Sequence, residues 1–244
     1  ACEARAGVGS PLVDPPACLA SEVTRALVAA GIAVDGPPMV GPAPDVVELV
    51  ELASPPLRDL VRHTLGASDN LYAECLRSAL DTVSPREPGV ADGRITALLV
   101  DSGVPAEQAR LVDGSGLSRY SLLSADALAR VSTWVAVQPW GAELIELLPV
   151  AGRDGTLATR LVGTPVDGRL RAKTGSMSGV RNLVGYVSNA DGEPLAFAVL
   201  FNGFVAPQAQ AIAVQDRVIL LIAASDRRGR VPRRTVAALT AAGG

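Results

Sequence analysis

The sequence has one lysine, one histidine, three cysteines and 3% aromatic residues in 244 positions, and each scarcity removes a class of explanation. So few aromatics leave Leu, Val and Ala to fill the core. A hydrophobic fraction of 48% against 19% charged residues is that of a folded chain, which excludes disorder for most of its length. The formal net charge of -3 and the lack of a basic patch interleaved with aromatics argue against nucleic-acid binding. The longest apolar runs, Leu195 to Phe201 and Val218 to Ala224, are far shorter than the roughly 20 residues a membrane-spanning helix needs, so no transmembrane segment is expected. Ala1 to Asp14 carries Cys2, Glu3 and Pro11 and lacks the apolar centre of a signal peptide.

The cysteines and the histidine say little about chemistry. Cys2 and Cys18 bracket a Pro- and Gly-rich loop and would pair if the protein is exported, whereas Cys75 lies in a helical pattern and reads as buried. His63 falls between Arg62 and Thr64 on the polar face of a helix and reads as a solvated surface residue, so no Ser-His-Asp triad is expected. No metal site and no cofactor are expected either.

The single lysine lies in Arg169-Leu170-Arg171-Ala172-Lys173-Thr174-Gly175-Ser176. With 21 arginines available for surface charge, one retained lysine suggests a task for a compact, rotatable ammonium that guanidinium cannot perform.

In chain order, residues 1 to 44 are broken by seven prolines and read as an appendage that completes a domain lying elsewhere. Within them Ser21 is predicted to cap a helix over Glu22 to Ala30, followed by a short strand at Ile32 to Val34. Ser54 is the expected cap of an amphipathic helix that ends before Gly66. Ser68-Asp69-Asn70 then forms a junction with a second helix reaching about Leu80; these residue types cap helices as readily as they catalyse, and the turn alone does not decide. A helix over 92 to 102 stops at Gly103. The glycine-bearing Asp113 to Arg119 loop is not a phosphate cradle, because it has neither GxxxxGK[ST] nor GxGxxG spacing. Ser124 caps a helix through Val135, and two short helices are expected within 143 to 162.

The last third reads as strands at Arg169 to Thr174, Leu183 to Asn189 and Leu195 to Asn202, the latter two joined through Asp191-Gly192. A helix follows from Gln208 to Ala224, and residues beyond Asp226 read as a basic, partly frayed tail. The hairpin order makes the lysine strand an edge, which offers free backbone groups to an extended peptide. There Lys173 supplies charge, Thr174 a hydroxyl for a carboxylate, and Gly175 room for a close backbone.

Ser68-Asp69-Asn70-Leu71-Tyr72-Ala73-Glu74, Asp113-Gly114-Ser115-Gly116-Leu117-Ser118-Arg119, Ala151-Gly152-Arg153-Asp154-Gly155-Thr156-Leu157 and Arg171-Ala172-Lys173-Thr174-Gly175-Ser176 occur in this order. Together they resemble the class C low-molecular-mass penicillin-binding proteins, the D-alanyl-D-alanine carboxypeptidase/endopeptidase family. The resemblance implies an α/β (α+β) penicillin-binding-protein/β-lactamase-like fold, an antiparallel sheet covered by helices and incomplete in its N-terminal part. It implies residues 1–44 as the end of an inserted accessory domain, 45–226 as the C-terminal part of the penicillin-binding domain, and 227–244 as the basic tail.

The activity implied is acyl transfer on peptidoglycan stem peptides through a serine acyl-enzyme, in the cell envelope or outside it, with β-lactams as inhibitors. Ser68 would relay a proton to the leaving D-alanine, Asn70 would hold the acyl amide, Lys173 would tune Ser68, and Lys173 with Thr174 would bind the terminal carboxylate. Gly175 would admit the substrate backbone, and the Ser176 N–H would serve the oxyanion hole. One departure limits this: the family's Ser-x-x-Lys is absent, since Lys173 is the sole lysine. The sequence therefore reads as the C-terminal portion of an exported carboxypeptidase whose nucleophile segment was lost or lies on another segment. A non-catalytic binder of peptidoglycan peptides is the alternative, and the motif spacing argues against a β-lactamase relative.

Overall fold

The computed structural model describes residues 14–39, 41, 51–82 and 90–241, which fall into two compact units, Ala1–Ser54 and Pro55–Gly244. Among the described residues no helix is long and apolar enough to cross a membrane.

The first unit contains helix α1, Pro15–Ala29. It starts six residues before the expected Ser21 cap, because the Asp14 carboxylate accepts from Ala17 N at 3.0 Å and Pro15 and Pro16 occupy the first helical positions. Ser21 instead lies inside the helix and donates back to Ala17 O at 2.9 Å. Ile32 to Val34 forms no strand. Cys18 is buried and disulfide-bonded, while Cys2, its expected partner, lies outside the described residues.

The second unit opens with α2, Leu57–His63, which begins after Pro55-Pro56 with Pro56 as its cap, not Ser54. The helix does not stop before Gly66; it widens into a π-turn, Thr64–Ser68. Helices α3, Asn70–Thr82, and α4, Val90–Asp101, follow. Cys75 on α3 is exposed and free, contrary to its expected burial; the half-buried positions of this helix include Ala73, Leu76 and Leu80. Two-residue strands β1, Ala109–Arg110, and β2, Leu122–Leu123, pair across the Asp113 loop. Helix α5, Ala125–Ala136, carries the expected Ser124 cap, whose Oγ accepts from Ala127 N at 2.9 Å. Only one α-helix, α6 (Gly141–Glu146), and a single 3₁₀ turn, Gly155–Leu157, form where two short helices were expected.

Strands β3, Arg171–Met177, β4, Val180–Ser188, and β5, Pro194–Asn202, make an antiparallel meander in the order β3-β4-β5. Asp191-Gly192 turns between the last two as expected, with Gly192 at φ 81° and the Asn189 amide oxygen accepting from Asp191 N and Glu193 N. Alternation divides the sheet's two faces. Leu183, Val187 and Phe197 face Ile219 of α7, Gln208–Ala224, and share a core with Leu157, Leu161, Val166 and Leu170. Tyr186 points the other way and donates to Ser132 O of α5 at 2.8 Å. The fold is thus the expected α/β arrangement, an antiparallel sheet covered by helices on both faces. In the described part of the tail Asp226 accepts from Arg228 N and Arg230 N, and helix α8, Arg233–Ala241, forms beyond it; residues 242–244 lie outside the described residues.

Candidate active site

The widened end of α2 gives Ser68 its place. Its backbone sits in the left-handed region at φ 57°, a conformation that costs an ordinary residue roughly 1–2 kcal/mol and clusters at functional sites. Capping, the competing role for this turn, falls to its neighbour: Asp69 Oδ1 accepts from Tyr72 N at 3.1 Å at the start of α3. Ser68 is therefore released from capping. His63 is exposed, as expected, and its Nε2 also lies 3.1 Å from Asp69 Oδ2 and its ring 4.5 Å from that of Tyr72. The Tyr72 N–H, and after it His63, hold the Asp69 carboxyl below its usual range.

Lys173 comes from the regular part of the structure. Its Nζ donates to Ser68 Oγ at 2.7 Å and to Thr174 O at 2.8 Å, joining residues 105 positions apart. Burial pulls this ammonium below the ordinary lysine range, since a charged group loses hydration there.

The lysine strand is an edge, and it is only partly covered. Its first part is covered: Val150 bridges Arg171, and Ala172 N donates to Pro149 O at 3.0 Å. Among the described residues nothing pairs with the outer side from Lys173 onward. Backbone alternation aims the N–H groups of Thr174 and Ser176 the same way as that of Ala172, toward this free edge.

Ser68, Asn70, Lys173, Thr174, Gly175 and Ser176 all line one cleft of about 790 Å³. Asn70 is exposed at the first position of α3. The opposite wall is the Asp113 loop, and carboxylates organise it. Glu74 accepts from Ser115 Oγ at 2.6 Å, Ser115 N at 2.9 Å and Gly114 N at 3.1 Å. Asp113 accepts from Ser118 N at 2.7 Å and Ser121 Oγ at 2.5 Å. The Ser115 hydroxyl chiefly lowers the Glu74 carboxyl; burial raises that of Asp113, but the Ser121 hydroxyl and the Ser118 N–H outweigh it. These N–H groups are already engaged by protein carboxylates, which leaves no phosphate cradle.

Sequence reasoning assigned no role to Glu74, Asp113 or Thr156, although all three lie in the quoted motifs. Thr156 Oγ1 stands 2.9 Å from Thr174 Oγ1 at the cleft.

The chain is similar to several known proteins. The chain is 35% identical over 223 residues to a D-alanyl-D-alanine carboxypeptidase of an Actinomadura species, covering 86% of this chain and 41% of that protein. It is 31% identical over 204 residues to D-alanyl-D-alanine carboxypeptidase DacB of Haemophilus influenzae, covering 81% of this chain and 43% of that one. The crystal structure of penicillin binding protein 4 from Haemophilus influenzae, complexed with a β-lactam, superposes with a TM-score of 0.74 at 28% identity, covering 94% of this chain and 50% of that one. The chain thus has a penicillin-binding-protein fold and spans less than half the length of these two sequence relatives. It matches the D-Ala-D-Ala carboxypeptidase 3 (S13) family over residues 4–224, and it belongs to that family.

Proposed function

We propose that this chain is the substrate-gripping part of a serine-type D-alanyl-D-alanine carboxypeptidase that acts on peptidoglycan stem peptides and is acylated by penicillins. The observation that carries this reading is the 2.7 Å Lys173–Ser68 hydrogen bond beside an open strand edge. A peptide laid along β3 places its terminal carboxylate at Lys173 and Thr174 and its scissile carbonyl near the Ser176 N–H. That N–H is one oxyanion donor, worth about 3–4 kcal/mol of transition-state stabilisation. Ser68, polarised by Lys173, passes a proton to the leaving D-alanine nitrogen, while Asn70 holds the acyl amide. Gly175 keeps the strand surface low enough for the substrate backbone.

The attacking serine and its base belong to a Ser-x-x-Lys that these 244 residues do not contain. In this reading the motif is contributed by another segment, residues 1–44 close an inserted accessory domain, and residues 45–226 are the C-terminal part of the penicillin-binding domain. The division of the chain near Ser54 supports that arrangement. The work is placed outside the cytoplasm, where peptidoglycan is.

Absence of Ser-x-x-Lys beside an intact grip also favours a second reading, a non-catalytic binder of peptidoglycan peptides. Intact-mass analysis after benzylpenicillin treatment separates the two. The 244-residue chain is expected to gain no adduct, whereas the product of the full coding sequence is expected to carry Ser-x-x-Lys and to gain one penicilloyl group. A full product without the motif and without an adduct overturns the enzyme reading.

A further inference from the structure

We infer that Thr156 is a third anchor for the terminal carboxylate of the bound peptide, acting beside Thr174 and Lys173. The inference rests on the peptide-gripping function proposed above and adds to it a residue from a different part of the chain.

Donor accounting points to it. Lys173 has three N–H groups, and Ser68 Oγ and Thr174 O already take two of them. One remains for a carboxylate, which has two oxygens and about four acceptor sites. Thr174 adds a hydroxyl, but that hydroxyl is paired with Thr156 Oγ1 at 2.9 Å. In such a pair one hydroxyl donates to the other, so the pair as a whole keeps one free hydrogen. When an anion arrives, both hydroxyls can turn their hydrogens toward it. Two hydroxyls that share one hydrogen bond thus become two donors for one negative charge, without any movement of the chain.

The backbone fixes Thr156 for that task. The Asp154 carboxylate accepts from Val150 N at 2.7 Å, and Leu157, which follows Thr156, is fully buried and returns its carbonyl to Gly152 N at 3.0 Å. Gly155 stands at φ 53°, and a Cβ there would meet Gly66 O at 2.8 Å and Pro149 Cγ at 3.0 Å. Gly66 belongs to the π-turn that delivers Ser68. The Asp154-Gly155-Thr156 turn is therefore wedged between the Ser68 turn and β3, with the Thr156 side chain exposed in the cleft. Branching at Cβ restricts the threonine's χ1, so its Oγ1 is held in place before any ligand binds.

The test is calorimetric titration of the 244-residue chain with diacetyl-L-lysyl-D-alanyl-D-alanine and with the same peptide as its C-terminal carboxamide. Thr156→Val preserves shape and removes only the hydroxyl; Thr156→Ser restores it. The expected result is about tenfold weaker binding of the free acid by Thr156→Val, unchanged binding of the carboxamide, and near-normal binding of the acid by Thr156→Ser. An unchanged acid affinity in Thr156→Val overturns the inference, as does an equal loss for acid and carboxamide, which would mark Thr156 as a spacer. Wild-type chain that binds neither peptide overturns the gripping function and this inference with it; wild-type binding that Thr156→Val leaves untouched removes the inference alone.

Discussion

Ser68 and Lys173 meet in one hydrogen bond but are held by opposite means. Lys173 stands on β3, where the ladder to β4 runs from Arg171↔Tyr186 to Met177↔Val180 without a break. Ser68 stands at the end of a π-turn in the left-handed region, kept there by Asp69 and by the wedge of Gly155 against Gly66 O. One side of the pair is secured by regular backbone pairing, the other by strain that its neighbours offset. Each side therefore breaks differently: the strand side through its side chain, the turn side through its backbone and its cap.

The largest effect is expected on the strand side. Lys173→Ala should weaken binding of a D-Ala-D-Ala peptide roughly a hundredfold, since it removes a charge-assisted contact, while circular dichroism stays unchanged because the ladder uses backbone groups only. An unfolded Lys173→Ala chain would show that the two sides are not separately built.

The turn side should respond in stability. Asp69→Ala removes the acceptor for Tyr72 N and the partner of His63 and is expected to lower the melting temperature by roughly 2–4 °C, whereas Asp69→Asn keeps the cap and most of the stability. Equal losses in the two variants would assign the effect to charge and not to capping.

A smaller difference isolates the strain itself. Ser68→Ala and Ser68→Gly both lose the bond to Lys173, but glycine accepts φ 57° freely, so Ser68→Gly should be the more stable of the two by about 1 kcal/mol in chemical denaturation. Equal stabilities would mean that the turn relaxes.

Acidification should separate the two sides by the least margin. Asp69, Glu74 and Asp113 all have folded-state values below their ordinary ones, so their stabilisation is present above about pH 4 and is lost as pH falls through the folded values. Strand β3 contains no carboxylate. Amide exchange should therefore rise at residues 69–74 and 113–118 before it rises along β3, and simultaneous loss would contradict the comparison.

What the sequence revealed follows the same division. Ser124, the Asp191-Gly192 turn, α7 and the edge position of Lys173 are specified by residues close in sequence, and all appear as expected. The starts of α1 and α2 depart from the local pattern because Ser21 and Ser54 carry the ordinary cap signal while Asp14 and the Pro55-Pro56 pair set the actual boundaries. The π-turn left no periodic signature, since α2 only widens there. Its result, Ser68 freed by Asp69, needs the Lys173 contact from 105 residues away to acquire meaning. Thr156 was invisible for the same reason: its partner Thr174 lies 18 residues on, across a loop whose path no local pattern encodes. Strands β1 and β2 are two residues each, too short to show alternation.

The presence of a single lysine makes peptide binding beside Ser68 measurable at one atom. Protein grown with lysine labelled at Cε and Nζ gives one side-chain signal, that of Lys173, which can be titrated with and without diacetyl-L-lysyl-D-alanyl-D-alanine. The expected result is a titration below the ordinary value of about 10.4 in the free chain, because burial disfavours the ammonium, and a rise when the peptide carboxylate arrives beside it. A signal that titrates as an ordinary exposed lysine and does not respond to the peptide would contradict it.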